Sequence, residues 1–249
     1  MNLILFSGKR ETYRLSRGDH RFNHIKAILR SSPGDVVRVG VVNGPTGRAR
    51  VTTIEREEIL LEATWSDEPG SAARASGPPV TVILGHPRPP VLKRLWRDLA
   101  SLGVASIRVF SGELGERSYL TSSAWNDPGQ WLREGLSQGG HTALPRLDRF
   151  SGLAEAIRAE SCDEREEPAR FFGCLSGAGT LSIRGMVERI PAAPSVHLCI
   201  GPERGLTERE EALLRAARFF PVTLGPHILR TEVAAILLAG NACGAFVPA

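Results

Sequence analysis

The chain has 249 residues, 42% of them hydrophobic and 23% charged, a balance that supports a sizeable core and excludes long disordered tracts. Its four cysteines, Cys162, Cys174, Cys199 and Cys243, stand far apart with no C-x-x-C pair, which argues against a zinc site and for reduced, mostly buried thiols in a cytoplasmic protein. The apolar run in MNLILFSGKRE is too short for a secretory signal, and no stretch is long enough to span a membrane.

The net charge of +4 is unevenly placed. Residues 1–50 carry ten Lys or Arg against Glu11, Asp19 and Asp35, whereas residues 151–249 are close to balanced. A basic N-terminal block points to a polyanion-facing module; a solvated basic surface is the other reading of the same charges. Residues 1–70 read as a mostly β module. HRFNHIKAILR (20–30) places Phe22, Ile25, Ile28 and Leu29 on one face of a short helix, which Pro33 and Gly34 end. DVVRVGVV (35–42) and GRARVTTI (47–54) flank the turn-rich NGPTG, and ILLEATW (59–65) supplies a further strand.

DEPGSAARASGPP (67–79) has the composition of a linker, with the boundary set at 71–79. From residue 80 strands and helices alternate. VTVILG (80–85), VASIRVF (104–110), RFFGCLS (170–176), SVHLCI (195–200) and FFPVTLG (219–225) are apolar strands. VLKRLWRDLASLG (91–103) carries Leu92, Leu95, Trp96, Leu99 and Leu102 at helical spacing, and DPGQWLREGLSQ (127–138) opens on an Asp cap and a proline. Near-continuous apolar strands between helices predict an α/β unit over 80–249 with a parallel sheet covered on both faces.

Two turns carry the chemistry. In LCIGPERGLTEREE (198–211) a strand stops on Gly-Pro, and Thr207 with Glu210 forms a capping box that starts a helix at 208. Some twenty residues on, LGPHILRTEVAAILLAG (224–240) repeats the arrangement. Its helix, from Val233 to Leu238, is apolar on nearly every side and is expected to be buried all round, so Arg230 and Glu232 sit at the mouth of a dry helix. Such junctions expose amide donors at the carboxyl ends of parallel strands, where open α/β sheets bind ligands. Neither is a P-loop or a G-x-G-x-x-G turn. Two ordinary turns with one ion pair are the bland reading.

Together, IGPERGLTERE and LGPHILRTEVA resemble the family of small-subunit ribosomal RNA methyltransferases that modify N3 of a uridine in 16S rRNA, within the SPOUT superfamily. The family patterns are I-G-P-E-G-G-hydrophobic-[ST]-x-x-E and L-G-x-R-I-L-R-x-E-T-A. HIKAILRSSPGDVVRVG, PRPPVLKRLWRDLASLGV, ERSY and GLSQGGHTALPRL are similar to further segments of the family, in order and over most of the chain. Departures are Arg204 for the second glycine, His227 for the first arginine of R-I-L-R, Val233–Ala234 for Thr-Ala, and SGAG at 176–179 for His-Pro. A positive φ at Arg204 would strain it.

The resemblance implies a SPOUT-type parallel sheet with a C-terminal trefoil knot over 80–249, preceded by a PUA-like, RNA-binding β-barrel over 1–70. It implies S-adenosyl-L-methionine held by main-chain groups around Leu198, Gly201, Glu203, Gly205, Leu224, Gly225, Ile228, Leu229 and Arg230. It also implies a homodimer acting on 16S rRNA in the 30S subunit. Methylating uracil N3 calls for a proton acceptor and for cations near the flanking carbonyls: Glu232 is the candidate base, with Arg230 and Arg117 as candidate cations. An Arg230–Glu232 pair that only braces the chain is the other reading. Methyl transfer needs no metal, and the chain offers no convincing metal site; His20 and His24 alone suit packing or RNA contact. Lys9, Arg10, Arg14, Arg17, Arg21, Lys26 and Arg30 are the candidate phosphate contacts. Two alternatives stand beside this reading: a related methyltransferase acting on tRNA or a ribose hydroxyl, and a non-catalytic RNA-binding assembly factor on the same fold.

Overall fold

In a computed structural model, which describes residues 3–66, 77–159, 167–175, 177 and 179–244, the chain divides into two units. One comprises Met1–Ala73 with Leu136–Leu144, the other Arg74–Gly135 with Pro145–Ala249. The first unit is therefore discontinuous in sequence. Most of the expected linker, Cys162, and Ser176 and Ala178 of the SGAG stretch lie outside the described residues.

The first unit holds β1 (Ile4–Phe6), β2 (Thr12–Ser16), β3 (Val36–Val41), β4 (Thr46–Ile54) and β5 (Glu58–Trp65) in the order β1-β3-β4-β5-β2. β1 runs parallel to β3 and the other pairs are antiparallel. The two-residue side-chain period turns Tyr13, Leu15, Val37, Val39, Ala49, Val51, Ile59 and Leu61 into one core, to which Phe22 and Ile25 add from the helical segment. That segment is not the single helix expected over 20–30. Helix α1 (His20–Asn23), capped by the Asp19 carboxylate, passes into a wider π-type turn over His24–Ile28, where the Leu29 N–H donates to His24 O five residues back. The wider turn shifts the periodicity, so Ile28 is 70% exposed rather than packed. Residues 136–144 are fastened within this unit by Thr142 Oγ1 donating to Gly44 O (2.6 Å) and Leu144 N–H donating to Asn43 Oδ1 (2.8 Å).

In the second unit, β6 (Val80–Gly85), β7 (Ser106–Phe110), β8 (Arg146–Phe150), β9 (Ala169–Cys174), β10 (Leu181–Ser182), β11 (Val196–Ile200) and β12 (Phe220–Thr223) form one sheet. The order is β10-β12-β9-β11-β6-β7-β8, and every pairing is parallel, as the apolar runs predict. Every residue of β6 and β11 is buried, the signature of strands covered on both faces. Helices α2 (Pro89–Ser101), α3 (Pro128–Gly139, whose residues 136–139 fall in the first unit), α4 (Leu153–Arg158), α5 (Ile183–Val187), α6 (Glu208–Ala216) and α7 (Thr231–Cys243) follow the strands. α2 begins on two prolines, which lose nothing in a first turn that lacks N–H acceptors. Its Leu92, Leu95, Trp96 and Leu99 are fully buried, and it packs against α7, which in turn covers β6 and β11. Ile83, Phe110, Phe172, Cys199 and Leu214 form the core with α4 and α6.

The expectation that the last helix is buried on every side is corrected. Val233 and Leu237, four residues apart on one face of α7, are 42% and 38% exposed. Two helices and two strands cannot surround a helix whose circumference is apolar throughout, and one strip is left over.

A helix contact tests the packing. A Cβ at Gly135 would lie 2.2 Å from Arg97 O and 2.8 Å from Ala100 Cβ. Gly135→Ala is expected to lower the unfolding free energy by about 1–3 kcal/mol in urea titration. Gly240→Ala in α7, with nothing within 4 Å of the added carbon, is expected to be neutral or stabilising by up to about 1 kcal/mol.

Candidate active site

All seven strands of the second unit point the same way, so the turns that follow them gather at one edge of the sheet. Three of those strands, β12, β9 and β11, are adjacent there. The Gly-Pro turns after β11 and β12 therefore bracket the carboxyl end of β9. Between them lies a cleft of about 430 Å³ lined by Gly173–Leu175, Ile200–Leu206 and much of the 224–234 stretch.

Each turn is shaped by its sequence. Gly205 (φ 78°) and Gly225 (φ 119°) occupy the left-handed region that side chains avoid. Arg204 does not have a positive φ, so the strain considered for it is absent. The Gly205 N–H closes the first turn on Pro202 O (2.8 Å), and the Thr223 hydroxyl accepts from the Gly225 N–H (3.3 Å) in the second. Thr231 Oγ1, buried at the start of α7, donates to Gly201 O (3.2 Å) and so joins the two turns.

The first turn is also wedged against its other neighbours. A Cβ at Gly85 would meet Pro202 at 2.4 Å, and one at Gly112 would meet it at 3.0 Å, so the turns after β6 and β7 close onto this proline. The Glu203 carboxylate accepts from the Arg88 N–H (2.8 Å) at the start of α2. Glu210, only 2% exposed, completes the capping box with Thr207 and accepts from the Glu113 N–H (3.0 Å). The Thr207–Glu210 pair legible in the sequence thus fastens the β7 turn as well as starting α6.

Beside this edge lies His86, 2% exposed. Its Nε2 accepts from the Trp125 indole N–H (3.0 Å), which leaves Nδ1 to donate to Pro87 O (2.6 Å), so the ring is neutral with the proton on Nδ1. Burial holds its pKa below the usual imidazole value, against the opposing pull of the Pro87 and Tyr119 carbonyls and the Glu203 charge. Arg149 stacks over Trp125 (5.1 Å) and donates to Leu120 O, which steadies the segment that carries Arg117.

Of the sequence-predicted cofactor residues, Gly201, Glu203, Gly205, Leu224, Gly225, Ile228 and Leu229 line the cleft. Leu198 is fully buried within β11, and Arg230 caps α7 without lining the cleft. Arg230 and Glu232 approach to 4.0 Å with the arginine 84% exposed, a pair of little energetic weight. Arg117 opens an exposed 3₁₀ turn away from the lining. Ile200, Pro202, Arg204 and His227 join the lining from within the two expected turns, and sequence reasoning missed Gly173, Cys174, Leu175, Leu206, Glu211, Thr231 and Ala234. For Cys174, whose thiol pKa burial raises, the signal was RFFGCLS itself, an apolar strand whose place between the two glycine turns depends on sheet order.

In the first unit, four candidate phosphate contacts are engaged internally. Arg14 pairs with Glu58 (3.2 Å), Arg17 with Glu57 (2.9 Å) and Arg21 with Asp19 (2.5 Å), while Lys26 donates to Glu55 O (3.3 Å). Lys9, Arg10 and Arg30 have no carboxylate partner among the described residues, and Arg30 adopts a positive φ of 52°. Among the described residues there is no group of three metal-ligating side chains and no helix long and apolar enough to cross a membrane.

A turn-built cleft at the carboxyl edge of a parallel sheet, within a chain whose residues 75–242 match a family model described as an RNA methyltransferase domain, defines the class. The chain is 33% identical to the ribosomal RNA small subunit methyltransferase E of Treponema pallidum, covering 94% of this chain and 88% of that one. It is 27% identical to ribosomal RNA small subunit methyltransferase E 1 of Borreliella burgdorferi, over 95% and 94% of the two chains. The fold matches the Neisseria gonorrhoeae enzyme of the same name, solved bound to S-adenosyl methionine, with a TM-score of 0.75, 20% identity, and coverage of 96% and 95%. The chain belongs to the ribosomal RNA small subunit methyltransferase E family of RNA methyltransferases.

The His86 geometry sets a pH dependence. A histidine kept neutral in the fold adds stability at and above neutrality that is lost as pH falls through the unfolded value of about 6.5, where the unfolded chain takes up a proton. Urea titrations between pH 7.5 and 5.0 are expected to show this loss, with a contribution from His24, whose pKa burial also lowers. His86→Gln, which keeps an acceptor for Trp125 but does not titrate, is expected to show a shallower loss than the parent.

Proposed function

We propose that the chain methylates N3 of a uridine in 16S rRNA of the 30S subunit, using S-adenosyl-L-methionine, in the cytoplasm. The observation that carries this reading is the cleft between the two Gly-Pro turns in a chain of this family. Its volume of about 430 Å³ falls in the range of small-molecule sites, and its walls combine the backbone of the two glycine turns with apolar Leu206 and Leu229. An adenine ring needs that combination: an apolar slot and backbone donors and acceptors. The cofactor residues proposed are Leu198, Gly201, Glu203, Gly205, Leu224, Gly225, Ile228, Leu229 and Arg230, with Leu198 acting as support from beneath the strand surface.

When bound, the cofactor supplies an electrophilic methyl group. The chain's part is to prepare the acceptor. Uracil N3 carries a weakly acidic proton between two carbonyls, so Glu232 takes that proton, and Arg230 and Arg117 stabilise the charge that spreads onto the carbonyl oxygens. The exposure of both arginines fits groups that wait for RNA. N3 lies on the Watson–Crick edge, so the base must be unpaired before it reacts.

The finer architecture belongs to the same proposal. The C-terminal segment forms a trefoil knot, in support of which α7 packs on β6, β11 and α2 while Thr231 ties to Gly201. Residues 1–70 form a PUA-like barrel that holds RNA, to which 136–144 add within the first unit, and a linker over 71–79 leads to the catalytic domain over 80–249. Lys9, Arg10 and Arg30 offer the least compensated charges among its candidate contacts. The exposed strip of Val233 and Leu237 on α7 supports a homodimer.

Unmethylated 30S subunits incubated with labelled cofactor are expected to gain one N3-methyluridine in 16S rRNA, located by mass mapping. Glu232→Gln is expected to bind the cofactor with unchanged affinity by calorimetry and to lose roughly 10²–10⁴-fold in turnover. Full turnover in that variant would remove the base assignment, and a label on another base or RNA would remove the substrate assignment.

A further inference from the structure

The arginines of the first unit differ in how their charge is met. Arg14, Arg17 and Arg21 have carboxylates of their own. On the outer face of the sheet, Arg50 stands opposite Glu62 in the β4–β5 register. One pair along, Arg38 of β3 stands directly opposite Arg48 of β4, and the residue opposite Arg48 on its other side is Thr64. Side chains so placed have Cβ atoms about 5 Å apart, and like charges there are destabilising. Neither guanidinium has a carboxylate partner among the described residues; Arg38 reaches only Gly140 O, at 3.4 Å.

Both arginines line a cleft of about 410 Å³ with Thr64 and Trp65, and no described residue of its lining is acidic. The Trp65 indole N–H donates to Arg10 O (2.7 Å), which fixes the ring at the cleft wall. The same Thr64–Trp65 corner borders a second cleft of about 540 Å³ that includes Lys9, where Glu11 and Glu62 temper the charge. The unbalanced positive potential is therefore concentrated at the Arg38–Arg48 end.

We propose that the Arg38–Arg48 cleft is a docking site for the RNA phosphodiester backbone, a reading that rests on the rRNA methyltransferase function above. Phosphates lying between the two guanidiniums supply the countercharge that the sheet withholds and convert a repulsive pair into a bidentate grip. Arg14 and Arg17, already neutralised, contribute much less.

The test is equilibrium binding of the full chain to naked 16S rRNA and to intact 30S subunits across a salt series, for the parent, Arg38→Gln/Arg48→Gln and Arg14→Gln/Arg17→Gln. The first double variant is expected to bind naked rRNA roughly ten- to thirtyfold more weakly near 0.1 M salt, with a salt slope smaller by about 1.4–1.8. Its thermal midpoint is expected to be unchanged or raised, because a like-charge pair is gone, and its affinity for S-adenosylhomocysteine unchanged. The second double variant is expected to shift both binding measures much less. Unchanged affinity and slope for naked rRNA in Arg38→Gln/Arg48→Gln, while the parent binds, would overturn the site and leave the function standing. A loss confined to intact subunits would assign the cleft to a ribosomal protein instead, and a lowered thermal midpoint would make the arginines structural. A parent chain that binds neither RNA would remove the functional reading and the site with it.

Discussion

The site depends on one topological constraint: β9 lies between β11 and β12 in an all-parallel sheet. Two turns that are separate in the chain thereby face each other across a single strand end. The gap between them is shaped by restricted backbone and by two short side chains. Glycines at positive φ shape each turn, Pro202 is wedged against Gly85 and Gly112, and Thr231 ties the second turn to the first. No one of these contacts is strong. Their combination leaves the turns little freedom, and a pocket that reads a small molecule through backbone groups needs that rigidity before the ligand arrives.

The same edge shows how polar groups are placed where the protein is dry. Glu210 is almost fully buried, yet its carboxylate meets N–H donors from both Thr207 and Glu113. His86 is as deeply buried and stays neutral, its two ring nitrogens assigned by Trp125 and Pro87. Among the described residues, cations without a carboxylate partner stand elsewhere, among them Arg117 on an exposed 3₁₀ turn and Arg38 and Arg48 on the sheet of the first unit. A basic chain that neutralises its buried groups and leaves these surface cations uncompensated is arranged to meet a polyanion.

Much of this was legible in the residues because it is encoded locally. The α2 face, the capping box at Thr207 and the two Gly-Pro turns follow from spacing and from residues with restricted backbones. The parts that were not legible are non-local. β1 has three residues and too little pattern to announce itself, and β2 alternates correctly but within a run of charges. That β9 closes the cleft follows from sheet order, which no window of sequence contains. Arg14 and Arg17 read as free cations because their partners, Glu58 and Glu57, lie some forty residues away and become neighbours only when β2 pairs with β5. The exposed strip of α7 was missed because uniform apolarity does not say how many sides the fold can cover.

The central claim is that three strand ends make one cradle, and hydrogen exchange tests it most directly. With S-adenosylhomocysteine added at saturation, amide exchange is expected to slow together in residues 173–175, 200–206 and 224–231, while the sheet of the first unit is unaffected. Slowing in only one of these segments, or in none of them, would contradict the account.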